Sequence, residues 1–355
     1  MTILQVCAYA APYEGNFIKS LQALRKELIK HNIRMVYAFP ENACNIDWVC
    51  KLAQETDVYF LPLKKARIRL KTYRKLREIY NKYPDLTVIH SHFELYDVPV
   101  VLTAPQNVKV FWHLHDALEI YNSFRNRVVH KIQYGILHKN ATLLSVSEKH
   151  MNYVMSCGFP KQNAYFVPNG LDTDRIKCVE SKDSKYDFLI FGWEFERKGV
   201  DLCISAIKQS HLKCKVAIVG SENTEKIIAE HYGSVPQVQV LEPEKDINKL
   251  YATTKCFLHI SRAEGLSYAL LEAVYAGLPV ICSDISENLF AQQFSTVRMV
   301  KSEDVHSIAN AMNEEISRNR INRETVEAAR KVIEKNYSVA CWVRNMLKWY
   351  GVENA

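Results

Sequence analysis

Short uninterrupted apolar runs alternate with longer segments whose apolar residues recur at helical spacing, and the chain carries out this alternation twice. In the first half, Ile3–Ala8 reads as a buried strand and Phe17–His31 as a helix with apolar positions near the 3.6-residue period. Arg34–Ala38 predicts the next strand; Leu86–His90, Val108–His113 and Thr142–Val146 continue the series, with helical material between them. Strand, helix, strand in this rhythm predicts crossover units on a parallel sheet.

The second half restarts the pattern. Phe188–Phe191 predicts a strand ending at Gly192, Val200–Gln209 a helix, and Lys215–Val219 a strand ending at Gly220. Val238–Leu241 and Cys256–Ile260 follow as strands. A helix over Ser267–Tyr275 is closed by Gly277, Pro279 forbids its continuation, and Val280–Cys282 is a further strand. The expected fold class is therefore α/β, with two Rossmann-like doubly wound domains facing across a cleft, where ligands meet the carboxyl ends of the strands. The turn formers from Val167 to Asp172 and the charged stretch at 180–187 place the boundary. Domains are expected at 1–170 and 187–337, with a linker at 171–186. A last helix, Val339–Tyr350 within 338–355, is available to cross back to the first domain.

Composition supports two packed cores. Of 355 residues, 48% are hydrophobic and 24% charged, which excludes a disordered or fibrous class. No window approaches the ~20 apolar residues of a membrane-spanning helix. The opening MTILQVCAYA lacks the basic start of a secretory leader. Ten cysteines are scattered without a C-x-x-C pair, several of them (Cys203, Cys256, Cys282) inside apolar stretches. They read as reduced thiols, and the expected location is cytoplasmic.

Charge is unevenly placed. Residues 1–184 carry 25 basic and 17 acidic side chains, leaving 21 and 22 of the totals of 46 and 39 for the remainder, so the net +7 divides as +8 and −1. Much of the excess lies in Lys64, Lys65, Arg67, Arg69, Lys71, Arg74, Lys75 and Arg77. Such a run forms either a solvated helix face or a patch for anionic lipid headgroups, where each basic residue adds about 1 kcal/mol. Without zinc spacing or an RNP-like aromatic motif, the charge does not point to nucleic acid.

The chemistry concentrates in Glu264-Gly265-Leu266-Ser267-Tyr268-Ala269-Leu270-Leu271-Glu272, an E-x7-E pattern set between a predicted strand and a predicted helix. Backbone N–H groups at a helix start favour a phosphate. A carboxylate at Glu264 can accept hydrogen bonds from sugar hydroxyls, and one at Glu272 from ribose hydroxyls.

With these residues the chain resembles the retaining GT-B glycosyltransferases marked by the E-x7-E motif (the group 1, or family 4, type). Gly192–Gly199 (GWEFERKG) is similar to that family's G-R-x4-K-G segment, with Lys198 on the lysine position. Asn169-Gly170-Leu171-Asp172 resembles its interdomain N-G-[VL]-D. His90-Ser91-His92 and His113-Leu114-His115-Asp116 resemble its H-x-H and H-D segments, and Ser145-Val146-Ser147-Glu148 its V-S-E turn. The landmarks span roughly residues 1–340 in the family's order. Two positions depart from it. Trp193 stands where the family has arginine, with Arg197 available to supply the charge. Only Gly15 stands in the N-terminal loop, where a glycine pair is usual; one glycine still lets a backbone approach a ligand closely.

The resemblance implies a sugar transferase taking a nucleotide-diphosphate sugar, with UDP-sugar favoured over GDP-mannose. Glu264, Lys198 and His115 are its expected catalytic residues, and Gly15, Arg197, Gly265, Leu266, Ser267 and Glu272 its donor-binding ones. The first domain would take a saccharide or lipid-linked acceptor, with Gly15 and His115 facing the same cleft. The base would sit near the loops at 220 and 243. Surface-polysaccharide or glycoconjugate synthesis follows as the expected setting, with the 64–77 cluster on the inner face of the plasma membrane. No metal or other cofactor is implied. Asp172-Thr173-Asp174 has the D-x-D form of GT-A metal sites but falls in the linker, and the histidines lack a Cys or Glu to complete a zinc set. Two other readings share these features: a UDP-sugar 2-epimerase of the same architecture, and a weakly active binding subunit of another transferase. Trp193 and the single glycine motivate the second; the E-x7-E segment and Lys198 favour transfer.

Overall fold

The computed structural model describes residues 1–115, 124–179, 184–317 and 322–352. It divides into two compact units, Met1–Gly170 with Tyr337–Ala355, and Leu171–Asn336.

The N-terminal unit is built on a seven-stranded sheet: β1 (Thr2–Cys7), β2 (Arg34–Pro40), β3 (Val58–Leu61), β4 (Leu86–His92), β5 (Lys109–Leu114), β6 (Thr142–Ser145) and β7 (Ala164–Phe166), in the order β3-β2-β1-β4-β5-β6-β7. Every pairing is parallel. All six residues of β1 are buried, as expected for a strand covered on both faces. The crossovers carry α1 (Gly15–Lys30), α2 (Asp47–Glu55), α3 (Leu70–Asn81), α4 (Asp97–Thr103), α5 (Phe124–Gly135) and α6 (Glu148–Ser156). α1 turns Phe17, Leu21, Leu24 and Leu28 onto the sheet, one or two per turn.

The C-terminal unit has six parallel strands: β8 (Tyr186–Phe191), β9 (Val216–Val219), β10 (Val238–Leu241), β11 (Thr254–His259), β12 (Val280–Ser283) and β13 (Val297–Val300), ordered β10-β9-β8-β11-β12-β13. Its helices are α7 (Val200–Gln209), α8 (Glu222–Tyr232), α9 (Ile247–Ala252), α10 (Tyr268–Ala276), α11 (Val305–Ile316) and α12 (Arg323–Asn336). Leu171–Val179 packs onto this unit: the Val179 N–H donates to the Ala276 carbonyl at 2.9 Å.

The last helix, α13 (Val339–Tyr350), belongs to the N-terminal unit. Trp342, Val343, Met346 and Tyr350 join the core that Ile3, Phe17, Leu21 and Leu24 form beneath β1. Among the described residues, no helix is long and apolar enough to cross a membrane.

Candidate functional site

The C-terminal sheet reverses its order between β8 and β11, and open α/β sheets bind ligands outside the carboxyl ends of strands at such a point. The chain leaving β8 passes through Gly192 and Trp193 into a turn over 194–198; the chain leaving β11 runs on to Glu264. Gly199 lets the two loops meet. Its φ is +74°, and a Cβ there would lie 2.3 Å from the Ile260 carbonyl oxygen. Backbone and side chain then stitch the loops together: the Arg262 N–H donates to the Arg197 carbonyl, and Arg197 Nη1 to the Ala263 carbonyl, both at 2.8 Å. Arg262 anchors the second loop by a bidentate pair with Asp201, both bonds 2.7 Å.

Three cationic or titratable groups converge on Glu264. Lys198 Nζ donates to Oε1 at 2.7 Å, Arg197 Nη1 stands 3.4 Å from Oε2, and His259 Nε2 lies 3.8 Å from Oε1. Lys198, His259 and Glu264 are all buried. Burial by itself would raise the carboxyl's pKa, but the charge of Lys198, with His259 and Arg197 behind it, holds Glu264 at about 2. Burial depresses His259 to about 4 against the opposing pull of Glu264.

Next to this cluster α10 begins at its N-cap Ser267, whose Oγ accepts from the Leu270 N–H at 3.3 Å. Leu266 and Ser267 are buried and Gly265 is half-buried. Glu272 lies on the buried side of α10, where its carboxylate accepts from Arg175 and, at 3.2 Å, from the Tyr251 hydroxyl. The Arg175 carbonyl in turn accepts from Asn248 Nδ2 at 2.9 Å. Arg175, Tyr251 and His259 escape the sequence reading. Arg175 stands 97 positions from Glu272, and no local pattern links the two. Trp193 is exposed and stacks on Phe191, with ring centroids 5.0 Å apart. It brings no charge to the position where the resemblance expects arginine; Arg197 faces Glu264 and pairs with Glu194.

Gly15 and His115 lie in the other unit. Gly15 opens α1 at φ +59°, in the left-handed region that glycine enters without strain. Two residues on, Phe17 meets the His115 ring edge-on at 5.1 Å. His115 is buried with both ring nitrogens engaged, Nδ1 with Asn169 Oδ1 at 2.9 Å and Nε2 with His92 Nδ1 at 2.9 Å. A substrate contact at this ring therefore has to displace one of these bonds. Asp116, the last residue of the H-D segment, lies outside the described residues.

His115 ends a stack of four imidazoles. His90 and His92 are two apart on β4, His113 sits opposite His92 on β5, and adjacent rings lie 4.1 Å apart in the pairs His90–His92 and His113–His115. His92 Nε2 bonds Gln5 Oε1 at 2.8 Å, His90 Nδ1 the Tyr350 hydroxyl at 2.6 Å, and His113 Nδ1 meets His90 Nε2 at 3.2 Å. Nitrogens of His90, His92 and His113 fall within 4.8 Å of one another, the spacing of a metal ligand set. Their planes differ by only 6° to 30°. Every ring nitrogen of the three except His113 Nε2 is also held in a hydrogen bond. The set suits a buried polar network better than a tetrahedral ion. Burial pushes His90, His92 and His113 well below the usual histidine range, and His115 to about 4.

Comparison with known proteins agrees with this architecture. Residues 172–332 match the family described as "Glycosyl transferases group 1", and residues 19–175 the one described as "Glycosyltransferase Family 4". The chain is 24% identical over 244 residues to an uncharacterized glycosyltransferase, MJ1059, of Methanocaldococcus jannaschii, covering 61% of this chain and 60% of that protein. It is 30% identical over 125 residues to the lipopolysaccharide glucosyltransferase WaaG of Escherichia coli, covering 34% of this chain and 33% of that one. The matches thus span less than two thirds of these relatives' lengths. The structure of HepE from Anabaena in complex with UDP aligns with a TM-score of 0.76 at 15% identity, over 99% of this chain and 100% of that one, a likeness of fold. With two Rossmann-like units of the GT-B kind and family matches that adjoin from residue 19 to residue 332, the chain belongs to the group 1 glycosyltransferases.

Proposed function

We propose that this protein transfers a sugar from UDP-sugar to a saccharide or lipid-linked acceptor, with retention of configuration. The observation that carries the reading is the convergence of Arg197 and Lys198 on Glu264 at the switch point of the C-terminal sheet, beside the start of α10. Two fixed cations and a helix N-terminus form a diphosphate site, and a buried carboxylate held ionised beside them accepts hydrogen bonds from sugar hydroxyls. Glu272 receives the ribose, and the loop at Gly220 and Ser221, after β9, borders the base. UDP is favoured because HepE, of like fold, was solved with UDP. A role in surface glycan assembly is favoured because WaaG acts in lipopolysaccharide synthesis.

In this scheme the donor diphosphate enters between Lys198 and Glu264 and takes the lysine as its counter-ion. Lys198 and Arg197 neutralise the charge that develops on the leaving oxygen as the glycosidic bond breaks. The acceptor hydroxyl attacks from the same face and passes its proton to the departing phosphate, so no side chain forms a covalent intermediate. The N-terminal unit takes the acceptor.

Calorimetric titration of UDP, GDP and their sugars into wild type, Lys198→Ala and Glu272→Ala tests the reading. The expected result is selective binding of one nucleotide, weakened roughly 10- to 100-fold in both variants, as loss of a charged hydrogen bond implies. Absence of binding to every nucleotide would overturn it. Conversion of a UDP-sugar without any acceptor would replace transfer with epimerisation.

A further inference from the structure

In the scheme above the donor diphosphate draws on both cations that face Glu264, Lys198 at 2.7 Å and Arg197 at 3.4 Å. Glu264 is only 6% exposed, and a carboxylate so buried does not give up its partners without a large desolvation cost. It needs a hydrogen-bond donor that the diphosphate does not attract.

Among the described residues, the third group facing this carboxylate is His259. It is the last residue of β11 and 3% exposed, and its Nε2 lies 3.8 Å from Glu264 Oε1, beyond hydrogen-bond reach. Nε2 is buried and has no hydrogen-bond partner among the described residues. Asn288 faces the same imidazole from the β12 side, where its Nδ2 donates to the Ser283 carbonyl at 3.2 Å and to Ser283 Oγ at 3.3 Å. Its Oδ1 is likewise without a partner, so the ring hydrogen is not committed there. A lone pair aimed at an ionised carboxylate is repelled and an N–H is attracted, which puts the hydrogen on Nε2. Burial depresses the ring to about 4, so it is neutral at neutral pH and no charge draws it toward a phosphate. Buried donors are rarely left unpaired, and a shift of about 1 Å would pair this one with Glu264.

We propose that His259 is a positioning residue: as the donor diphosphate takes Lys198 and Arg197, the His259 Nε2–H moves onto Glu264 Oε1 and holds the carboxylate in place for the sugar hydroxyls. Lys198 partners Glu264 before the donor binds, and His259 partners it afterwards. This role rests on the proposed donor reading and adds to it a residue that touches neither phosphate nor sugar.

Calorimetry of wild type, His259→Leu and His259→Gln with UDP, GDP, uridine and guanosine tests it. His259→Leu should bind the diphosphate that wild type selects roughly ten-fold or more weakly, because its carboxylate is stranded only in the bound form. Affinity for the matching nucleoside, which has no phosphate and leaves Lys198 on Glu264, should not change; retained nucleoside binding also reports a folded unit. Glutamine, whose amide N–H stands in for Nε2–H, should restore diphosphate affinity to near the wild-type value. The proposal is overturned if His259→Leu binds the diphosphate like wild type, if it loses nucleoside binding to the same degree, or if glutamine fails to restore the loss. Failure of wild type itself to bind either diphosphate would instead overturn the donor reading.

Discussion

Lys198 and Glu264 are each other's counter-ion, with Nζ 2.7 Å from Oε1 and both side chains nearly excluded from solvent. The sequence reading keeps them apart, the lysine on the G-R-x4-K-G position and the carboxylate in the E-x7-E segment with a sugar as its partner. The pair holds two charged groups in a buried position before any donor arrives, since neither can be left alone in a low-dielectric setting. In the proposed scheme donor binding would exchange one anion for another around Lys198, lowering the cost of bringing a diphosphate into the site.

Breaking the pair from one side should therefore be more harmful than removing it altogether. Lys198→Met alone, which takes the nearest cation from the buried carboxylate and leaves it only Arg197 as counter-ion, is expected to cost up to about 3–5 kcal/mol of stability. The double variant Lys198→Met/Glu264→Leu should recover much of that loss while binding no nucleotide. Denaturant unfolding of the two single variants and the double completes a cycle. Simple additivity of the single losses would show that the two groups are not coupled.

What was legible before the structure follows from burial. β1, β4, β5, β8 and β11 lie inside their sheets, are covered on both faces, and read as continuous apolar runs. β3, β7 and β13 escape that reading because they are short edge strands whose residues stay largely half-buried or exposed. Glu264 and Glu272 stand out because their spacing is local to one loop and one helix start, and Lys198 because it falls within the Gly192–Gly199 segment. Arg175 and Tyr251, which hold Glu272, stand on other segments, so only the folded chain makes them neighbours. The imidazole stack is half legible: alternation along β4 and β5 lets histidines share a face, but Gln5 and Tyr350, from the first strand and the last helix, close the network.

Gly199 should tolerate no side chain. Gly199→Ala meets two penalties, a left-handed backbone that costs an L-residue ~1–2 kcal/mol and a clash with the Ile260 carbonyl that adds ~1–3 kcal/mol. Relief requires the turn over 194–198 to move away from β11, carrying Lys198 with it. Both a lowered unfolding midpoint and a loss of nucleotide binding are expected. An alanine variant with unchanged midpoint and affinity would contradict the close approach.

Acid should weaken the N-terminal unit as the buried imidazoles of its stack are forced to take up protons. His115 is held at about 4 by burial against its ordinary 6.5, and His90, His92 and His113 are displaced in the same direction. A base whose folded pKa is depressed binds fewer protons folded than unfolded, so stability is full above 6.5 and is lost as pH falls from there toward 4. Each such histidine steepens the fall by up to about 1.4 kcal/mol per pH unit. Denaturant midpoints measured across this window should drop, and proton NMR should show His115 neutral until near pH 4. A His115 titration at 6.5 would contradict its burial in the stack.

Asn169 should set how far His115 resists protonation. Its Oδ1 faces His115 Nδ1 at 2.9 Å, and Gln5 Oε1 faces His92 Nε2 at 2.8 Å, so both ring atoms carry hydrogens in this amide arrangement. With two neutral rings, the contact between His92 Nδ1 and His115 Nε2 then has no hydrogen; it is completed by turning one amide or by adding one proton. Asn169→Asp closes the first route at the His115 end, because a carboxylate cannot donate, and favours the second by placing a negative charge beside the ring. The His115 pKa is expected to rise from about 4 by one unit or more, in line with an opposite charge at this distance. The acid-sensitive window of the unit should narrow with it, since stability stops falling once the folded ring accepts the proton. NMR titration of the variant against wild type reads the shift directly. An unchanged His115 pKa would show that Asn169 neither faces the ring nor controls its proton.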